Sequence, residues 1–256
     1  MTGGTVAGSP WWLVPQPKPQ ATMRLICLAG AGSGAAGYVP WARALAAQPV
    51  ELCAVRLPGR ESRLQEPPFV RVDALIDALA PAVRSQLDRP YCFFGHSMGA
   101  LLAFELTRAI RDRHWPAPEH LFVSAARAPH VPSADAPLHR LPDPEFVDAV
   151  STRYGGIPAA VLEHQELMDL VLPALRADLA MVECYDYRAA EPLACPITAF
   201  GGLQDPRVTE EALDAWGEQT LGPFSRRMFP GDHFYLNHAR DGLLGVMMPR
   251  LVRSCG

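Results

Sequence analysis

The stretch Tyr91-Cys92-Phe93-Phe94-Gly95-His96-Ser97-Met98-Gly99-Ala100-Leu101-Leu102-Ala103-Phe104 decides how the rest of this chain is read. An aromatic, apolar run leads into Gly95-x-Ser97-x-Gly99, and an Ala/Leu-rich helical pattern leads out. Strand, sharp turn and helix with a serine at the turn make a nucleophile elbow. The turn lifts the serine hydroxyl above the sheet edge, and glycine on either side lets strand and helix approach where a Cβ would collide. The helix N-terminus then aims its free N–H groups at the reacting centre. The bland alternative is a Gly/Ser strand-to-helix turn without chemistry, so the remainder of the chain has to decide.

A serine hydroxyl is a poor nucleophile until a base takes its proton, and the base needs a carboxylate to orient it. On such a sheet the groups follow the C-terminal ends of strands in the chain order Ser, Asp/Glu, His. Pro196-Ile197-Thr198-Ala199-Phe200-Gly201-Gly202 reads as a strand running into Gln204-Asp205-Pro206, which makes Asp205 the expected acid. Asp135, beyond a strand over 120–125, is its rival. The last strand reads as 225–230, and Gly231-Asp232-His233-Phe234 follows it directly, so His233 is the expected base among eight histidines. His238 lies nearer the final helix. His96 adjoins Ser97, but neighbouring side chains on a tight turn point apart, so it is expected to pack or orient the elbow. Asp232 cannot easily reach behind the ring of His233.

Upstream, Met23-Arg24-Leu25-Ile26-Cys27-Leu28 reads as a buried strand entering Ala29-Gly30-Ala31-Gly32-Ser33-Gly34, with a helical stretch over about 38–47 beyond. A nucleoside-triphosphate loop is excluded, since no Gly-Lys-Ser/Thr follows. Gly30-x-Gly32-x-x-Ala35 fits the dinucleotide fingerprint, but the acidic residue expected after the second strand is missing. The better reading is an oxyanion loop whose backbone N–H groups face the nucleophile across the sheet edge. The N–H groups of Met98 and Ala31 are the expected donors. A tight turn needing glycine is the plain alternative.

The chain has 256 residues, 49% of them hydrophobic, enough for one α/β domain with a full core. A net charge of −4 gives no electrostatic case for nucleic acid. Six cysteines (Cys27, Cys53, Cys92, Cys184, Cys195 and Cys255) are scattered without a C-x-x-C, which predicts buried reduced thiols rather than a metal site or disulfides. No apolar run approaches membrane-spanning length and no signal peptide is evident, so a soluble, cytoplasmic protein is expected. Residues 1–22, rich in Gly, Pro and Gln, read as a mobile N-terminal tail, with Trp11-Trp12-Leu13-Val14 as the part that would dock. Residues 23–256 read as a single domain.

Strands alternating with helices argue a parallel sheet covered on both faces. Val72, Leu75, Ile76, Leu79 and Val83 mark one helical face, and Pro81 predicts a kink or a break into two helices. Over about 127–187 the pattern turns helical and strand-free, the form an active-site lid takes when inserted between sheet strands. An ordinary helix pair covering the sheet is the alternative. Within this stretch Asp143 is expected to cap a helix that has Pro144 at its first position; further on, Thr209 is expected to cap another.

Six stretches together carry a resemblance that covers about residues 24–251. They are Leu57-Pro58-Gly59-Arg60-Glu61-Ser62-Arg63, Phe94-Gly95-His96-Ser97-Met98-Gly99-Ala100, Leu121-Phe122-Val123-Ser124, Leu172-Pro173-Ala174-Leu175-Arg176-Ala177-Asp178, Asp205-Pro206-Arg207-Val208 and Phe229-Pro230-Gly231-Asp232-His233-Phe234. The chain resembles the type II thioesterases, free-standing editing hydrolases of modular polyketide and nonribosomal peptide synthases. The resemblance implies an α/β-hydrolase fold with a mostly parallel twisted sheet and a helical lid. It also implies a triad at Ser97, Asp205 and His233, and oxyanion donors at Met98 and Ala31. One departure stands out: where the family usually shows an aromatic-Pro-His-Ala-Gly-Gly loop, this chain has Leu28-Ala29-Gly30-Ala31-Gly32-Ser33, with Gly30 in place of the histidine.

The expected reaction is hydrolysis of acyl thioesters on the phosphopantetheine arm of acyl or peptidyl carrier protein domains. No cofactor or metal of the protein's own is expected, and a monomer is expected. A small-molecule carboxylesterase or lipase would use the same triad. A non-catalytic docking module would predict a broken triad, whereas Ser, Asp and His are all present.

Overall fold

The computed structural model describes residues 9–133, 135–154 and 163–252. Seven strands form one sheet: β1 (Trp12–Leu13), β2 (Met23–Leu28), β3 (Val50–Val55), β4 (Tyr91–His96), β5 (His120–Ser124), β6 (Ile197–Gly202) and β7 (Phe224–Phe229). Their order is β1-β3-β2-β4-β5-β6-β7, with β2 to β7 mutually parallel and β1 antiparallel to β3. The chain builds outward to β3 from β2, then returns to place β4 on the other side of β2. That reversal opens a crevice at the C-terminal ends of β2 and β4, where ligands bind on doubly wound sheets. The Gly30 loop leaves β2 there, and Ser97 leaves β4.

Alternation along the strands divides the core into two layers. Phe93, Leu121 and Val123 face α2 (Val72–Arg84) and α3 (Met98–Asp112). Phe94, Phe122 and Leu25 face α1 (Val39–Ala44) and α7 (Leu236–Leu251), where Trp41, Leu243 and Met247 pack. The α/β-hydrolase fold expected from the sequence is thereby borne out. The remaining α-helices among the described residues are α4 (Asp143–Tyr154), α5 (Gln165–Glu183) and the short α6 (Glu210–Asp214), which Thr209 caps by accepting from the Ala212 N–H at 3.2 Å. Asp143 is the first residue of α4 rather than the residue before it, and its carboxylate accepts from Arg176 at 2.6 Å.

Two expectations need correction. Of the kink or break expected at Pro81, the break is absent: α2 runs through it as one helix. Pro81 lies on its exposed side, so the missing N–H and the ring face water and the buried stripe is undisturbed. The supposed mobile tail is tied down from Ser9 onward, while residues 1–8 lie outside the described residues. Trp12 is buried as β1 pairs with Val55, Arg63 stacks over the Trp11 ring at 4.0 Å, and the Lys18 ammonium donates to the carbonyls of Leu45 and Gln48 at 2.6 and 3.0 Å. The sequence pattern showed the docking aromatic pair, but neither the backbone ladder nor the lysine that fastens the segment between β1 and β2.

Between β5 and β6, α4 and α5 build a cluster of their own from Phe146, Val150, Met168, Leu172, Leu175 and Leu179. This is the 127–187 stretch read as a lid, of which 134 and 155–162 lie outside the described residues. Among the described cysteines, Cys27, Cys53, Cys92 and Cys195 are buried, Cys184 is exposed and all are free thiols.

Candidate active site

The elbow is held by backbone alone. Ser97 sits at φ 53° and ψ −118°, a conformation that costs an L-residue about 1–3 kcal/mol. Its N–H donates to the Ser124 carbonyl at 2.7 Å, and its own carbonyl accepts from the Ala100 N–H at 2.9 Å. A Cβ on Gly95 would lie 2.1 Å from the Gly99 carbonyl oxygen, and one on Gly99 would lie 2.1 Å from the Leu28 carbonyl oxygen. No side chain fits at either place, so β4, α3 and β2 meet backbone to backbone around the serine.

Ser97 Oγ lies 3.0 Å from His233 Nε2, and His233 Nδ1 lies 2.8 Å from Asp205 Oδ2. Three strand ends supply the three side chains, in the chain order read from the sequence. The Asp205 side chain is 0% exposed, so its charge is shielded from water and directed at the imidazole. Its second oxygen accepts from the Arg207 N–H at 2.9 Å. The loops after β6 and β7 are bonded together: the Gln204 N–H donates to the Gly231 carbonyl at 2.9 Å, and the Gly231 N–H to Gln204 Oε1 at 2.5 Å. Asp135 does not reach His233; it pairs with Arg207 and accepts from Ser133, and Arg207 holds its carboxyl below the usual range against the cost of burial. His238 and Asp232 are exposed.

His96 lies beneath the base, its ring 5.4 Å from that of His233. Its Nδ1 meets Ser124 Oγ at 2.9 Å, and that oxygen meets the Tyr235 hydroxyl at 2.6 Å. Burial, reinforced by repulsion from His233, holds His96 well below the ordinary histidine value. It therefore stays neutral and serves as a fixed floor rather than a second base. Burial pushes the Tyr235 hydroxyl well up, so it remains protonated.

Met98 opens α3, so its N–H lies outside the helix's own ladder. In the Gly30 loop, the Ser33 N–H returns to the Gly30 carbonyl at 3.1 Å and the Gly32 N–H goes to Asp178 Oδ2 at 2.8 Å. The Ala31 N–H has no protein acceptor among the described residues. A Cβ on Gly30 would stand 3.5 Å from Ser97 Cβ and 3.3 Å from His96 Cδ2. A side chain there would meet Ser97 in ordinary contact and ask the His96 ring to give by a few tenths of an ångström; with glycine a hollow of about 190 Å³ lies beside Gly30 and His96.

Two residues of this site escaped assignment in the sequence. Arg60 makes a two-pronged pair with Asp178, 2.7 Å on each prong, and also donates to the Ser33 carbonyl at 3.0 Å. Asp178, fully buried on α5, thereby fastens that helix to the Gly30 loop. The signal was present: an aspartate among Ala174, Leu175, Ala177 and Leu179 on a helix's buried face requires a cation.

A cavity of about 570 Å³ opens over Ser97 and His233, lined by Leu101, Val131, Val182, Tyr154, Arg127 and Arg207 among others. Tyr154 on α4 lies 5.7 Å from the His233 ring, and Arg207 stacks on Tyr154 at 4.9 Å. Met168, Leu172, Leu175 and Leu179 pack mainly within the lid's own cluster, so their apolar character serves the lid before it serves a ligand.

A serine, an imidazole and a shielded carboxylate in line at one open space, with the free N–H of Met98 at the helix start beside the serine, is the equipment of acyl transfer through a covalent serine intermediate. The thioesterase domain family model matches residues 23–250. The chain is 39% identical over 241 residues to the gramicidin S biosynthesis protein GrsT of Aneurinibacillus migulanus, covering 94% of this chain and 93% of that one. Among solved structures it is similar to the type II thioesterase BorB from the borrelidin biosynthetic cluster, at 40% identity and a TM-score of 0.86, covering 94% and 98% of the two chains. It is also similar to the thioesterase RedJ from the prodiginine pathway of Streptomyces coelicolor, at 40% identity and a TM-score of 0.84, covering 90% and 91%. With the family model spanning nearly the whole chain and full-length relatives of this kind, the chain belongs to the thioesterase family, and within it to the type II thioesterases.

Proposed function

We propose that this protein hydrolyses acyl thioesters carried on the phosphopantetheine arm of acyl or peptidyl carrier proteins, clearing stalled or mis-primed groups from a modular synthase. One observation carries the chemistry: the unbroken line Ser97 Oγ, His233 Nε2, His233 Nδ1, Asp205 Oδ2, at 3.0 and 2.8 Å. Ser97 Oγ attacks the thioester carbonyl while His233 takes its proton. Asp205 holds the imidazole in the tautomer that accepts at Nε2 and stabilises the imidazolium. The N–H groups of Met98 and Ala31 receive the oxyanion. The C–S bond breaks, the pantetheine sulfur leaves with the proton from His233, and Ser97 keeps the acyl group as an ester. His233 then deprotonates a water that attacks this ester, and returns the proton to Ser97 Oγ as the free acid departs.

The editing role draws support from the relatives, whose names place them in gramicidin S, borrelidin and prodiginine biosynthesis. The triad alone serves oxygen esters equally well. Comparing an acyl-carrier thioester with the matched oxygen ester tests the reading, and faster turnover of the oxygen ester would replace it with an esterase. Labelling of Ser97 by a fluorophosphonate separates both enzymes from a scaffold that docks without turnover.

A further inference from the structure

The chamber over Ser97 contains a cation, Arg127, that no hydrogen bond or ion pair reaches among the described residues. Arg127 lies three residues beyond Ser124, whose carbonyl anchors the nucleophile's N–H, so its Cα is within about 10 Å of that of Ser124. Its backbone is fastened on both sides. The Ala125 N–H donates to Phe200 at 2.9 Å, the Ala128 N–H to Ala212 at 3.2 Å, and Trp216 Nε1 donates to the Ala126 carbonyl at 2.7 Å. Arg127 is thus displayed from a rigid segment, half-buried, into the cavity shared by Ser97 and His233.

A guanidinium carries five donors and stays charged at any working pH. Among the described residues, no hydrogen bond or ion pair reaches that of Arg127. The rest of the chain (1–8, 134, 155–162 and 253–256) includes no Asp or Glu, so none of its side chains supplies the missing anion. The other arginines of the chamber are engaged: Arg207 with Asp135, and Arg153 with the Ala136 carbonyl at 3.0 Å. The nearby acids are committed or turned outward. Asp135 holds Arg207 and Ser133, Glu183 receives the N–H groups of Leu138 and His139 together with the His139 ring, and Asp186 is exposed at the rim. Burial pulls the Arg127 guanidinium below its ordinary value; Asp135 offsets part of this and Arg207 adds to it. A half-buried cation fixed by its backbone, with no hydrogen bond or ion pair among the described residues, is placed to receive an anion from outside the chain.

We propose that Arg127 is the anion-receiving position of this chamber and takes an acidic oxygen group of the substrate. Two parts of a carrier-bound substrate share that chemistry: the phosphate of the phosphopantetheine arm and a carboxylate on the acyl group. Arg127 would act on specificity and binding rather than on bond breaking. The inference rests on the thioesterase reading of the same site.

Three thioesters separate the sources: propionyl-pantetheine, without an anion; propionyl-4′-phosphopantetheine, with the phosphate; and malonyl-pantetheine, with the carboxylate. Each is assayed with the full chain, wild type and Arg127→Gln. The variant should lose about tenfold to a hundredfold more kcat/KM on one anion-bearing thioester than on propionyl-pantetheine, mainly through KM, with Arg127→Lys intermediate. Selective loss on the phosphorylated arm assigns the phosphate, and selective loss on malonyl-pantetheine assigns the carboxylate. Equal loss on all three thioesters, or no loss on any, overturns the proposal. If Arg127→Gln does not fold, inhibition of the wild type decides. Competition by inorganic phosphate or malonate against propionyl-pantetheine supports the site, and absence of competition by both overturns it. A wild type that hydrolyses none of the three overturns the thioesterase reading, and the inference falls with it.

Discussion

On one side of Ser97 the reacting groups hang from the sheet. Asp205 and His233 follow directly from β6 and β7, and their loops are bonded backbone to backbone and through Gln204. On the other side the Gly30 loop is held from above, by an aspartate on a lid helix and an arginine from the turn after β3. The first wall is as rigid as the sheet. The second is as well placed as α5, which buries most of its apolar residues in a cluster of its own and joins a sheet layer only at its C-terminal end, through Met181 and Val182. In this molecule the Ser97–His233–Asp205 line is a property of the sheet, whereas the position of the Gly30 loop depends on the sheet and on α5 together.

The comparison can be broken from either side. Ser97→Ala removes the nucleophile and should lower kcat on an acyl-carrier thioester by about 10⁵-fold or more, with the thioester recovered intact by mass spectrometry. Residual turnover within a hundredfold of wild type would mean another nucleophile. Asp205→Asn leaves the shape but loses the charge behind His233, for a loss of about 10⁴-fold, while Asp135→Asn should stay within several-fold of wild type in the same assay. The reverse order would move the acid to the β5 side.

The lid-held wall responds differently. Asp178→Asn should lower kcat by about tenfold to a hundredfold, less than deleting an oxyanion donor outright because the donor is displaced rather than removed. The sharper probe is the pair Arg60→Met with Asp178→Leu. Breaking a buried ion pair at one end costs about 3–5 kcal/mol, but replacing both ends with apolar groups is often neutral. Denaturant titration of the double variant should therefore show stability close to wild type, while its kcat stays low. Recovery of both would make the pair a packing element only. The smallest effect belongs to the sheet side: Tyr235→Phe removes the hydroxyl on Ser124 and should cost about 1 kcal/mol of stability, with kcat within a few-fold.

The sheet-held wall was legible in the sequence because its logic is local. Ser97 and Asp205 each follow an apolar strand within a few residues, His233 follows the last strand of the alternating pattern, and the ends of these parallel strands face the same crevice. Asp135 could be ranked below Asp205 on position, but only the structure shows Arg207 occupying it. The lid-held wall was not legible, because Arg60 and Asp178 are 118 residues apart and their meeting depends on how α5 lies over the sheet. Nothing in either segment's periodicity encodes that distance. Pro81 misled for a related reason: its effect depends on which side of α2 faces water, and that is decided by packing.

The short antiparallel strand β1 has a consequence for how this protein survives in a crowded cell. The open side of β3 would otherwise present an unpaired row of amides beside Ala54 and Val55, a template for another chain's edge. Two residues of ladder, with an arginine laid over the preceding indole, cover the Ala54–Val55 end of that template. A stretch of sequence that looks dispensable is thus a guard against self-association, and a chain trimmed to start at β2 would keep its active-site residues while exposing a surface prone to stick to itself.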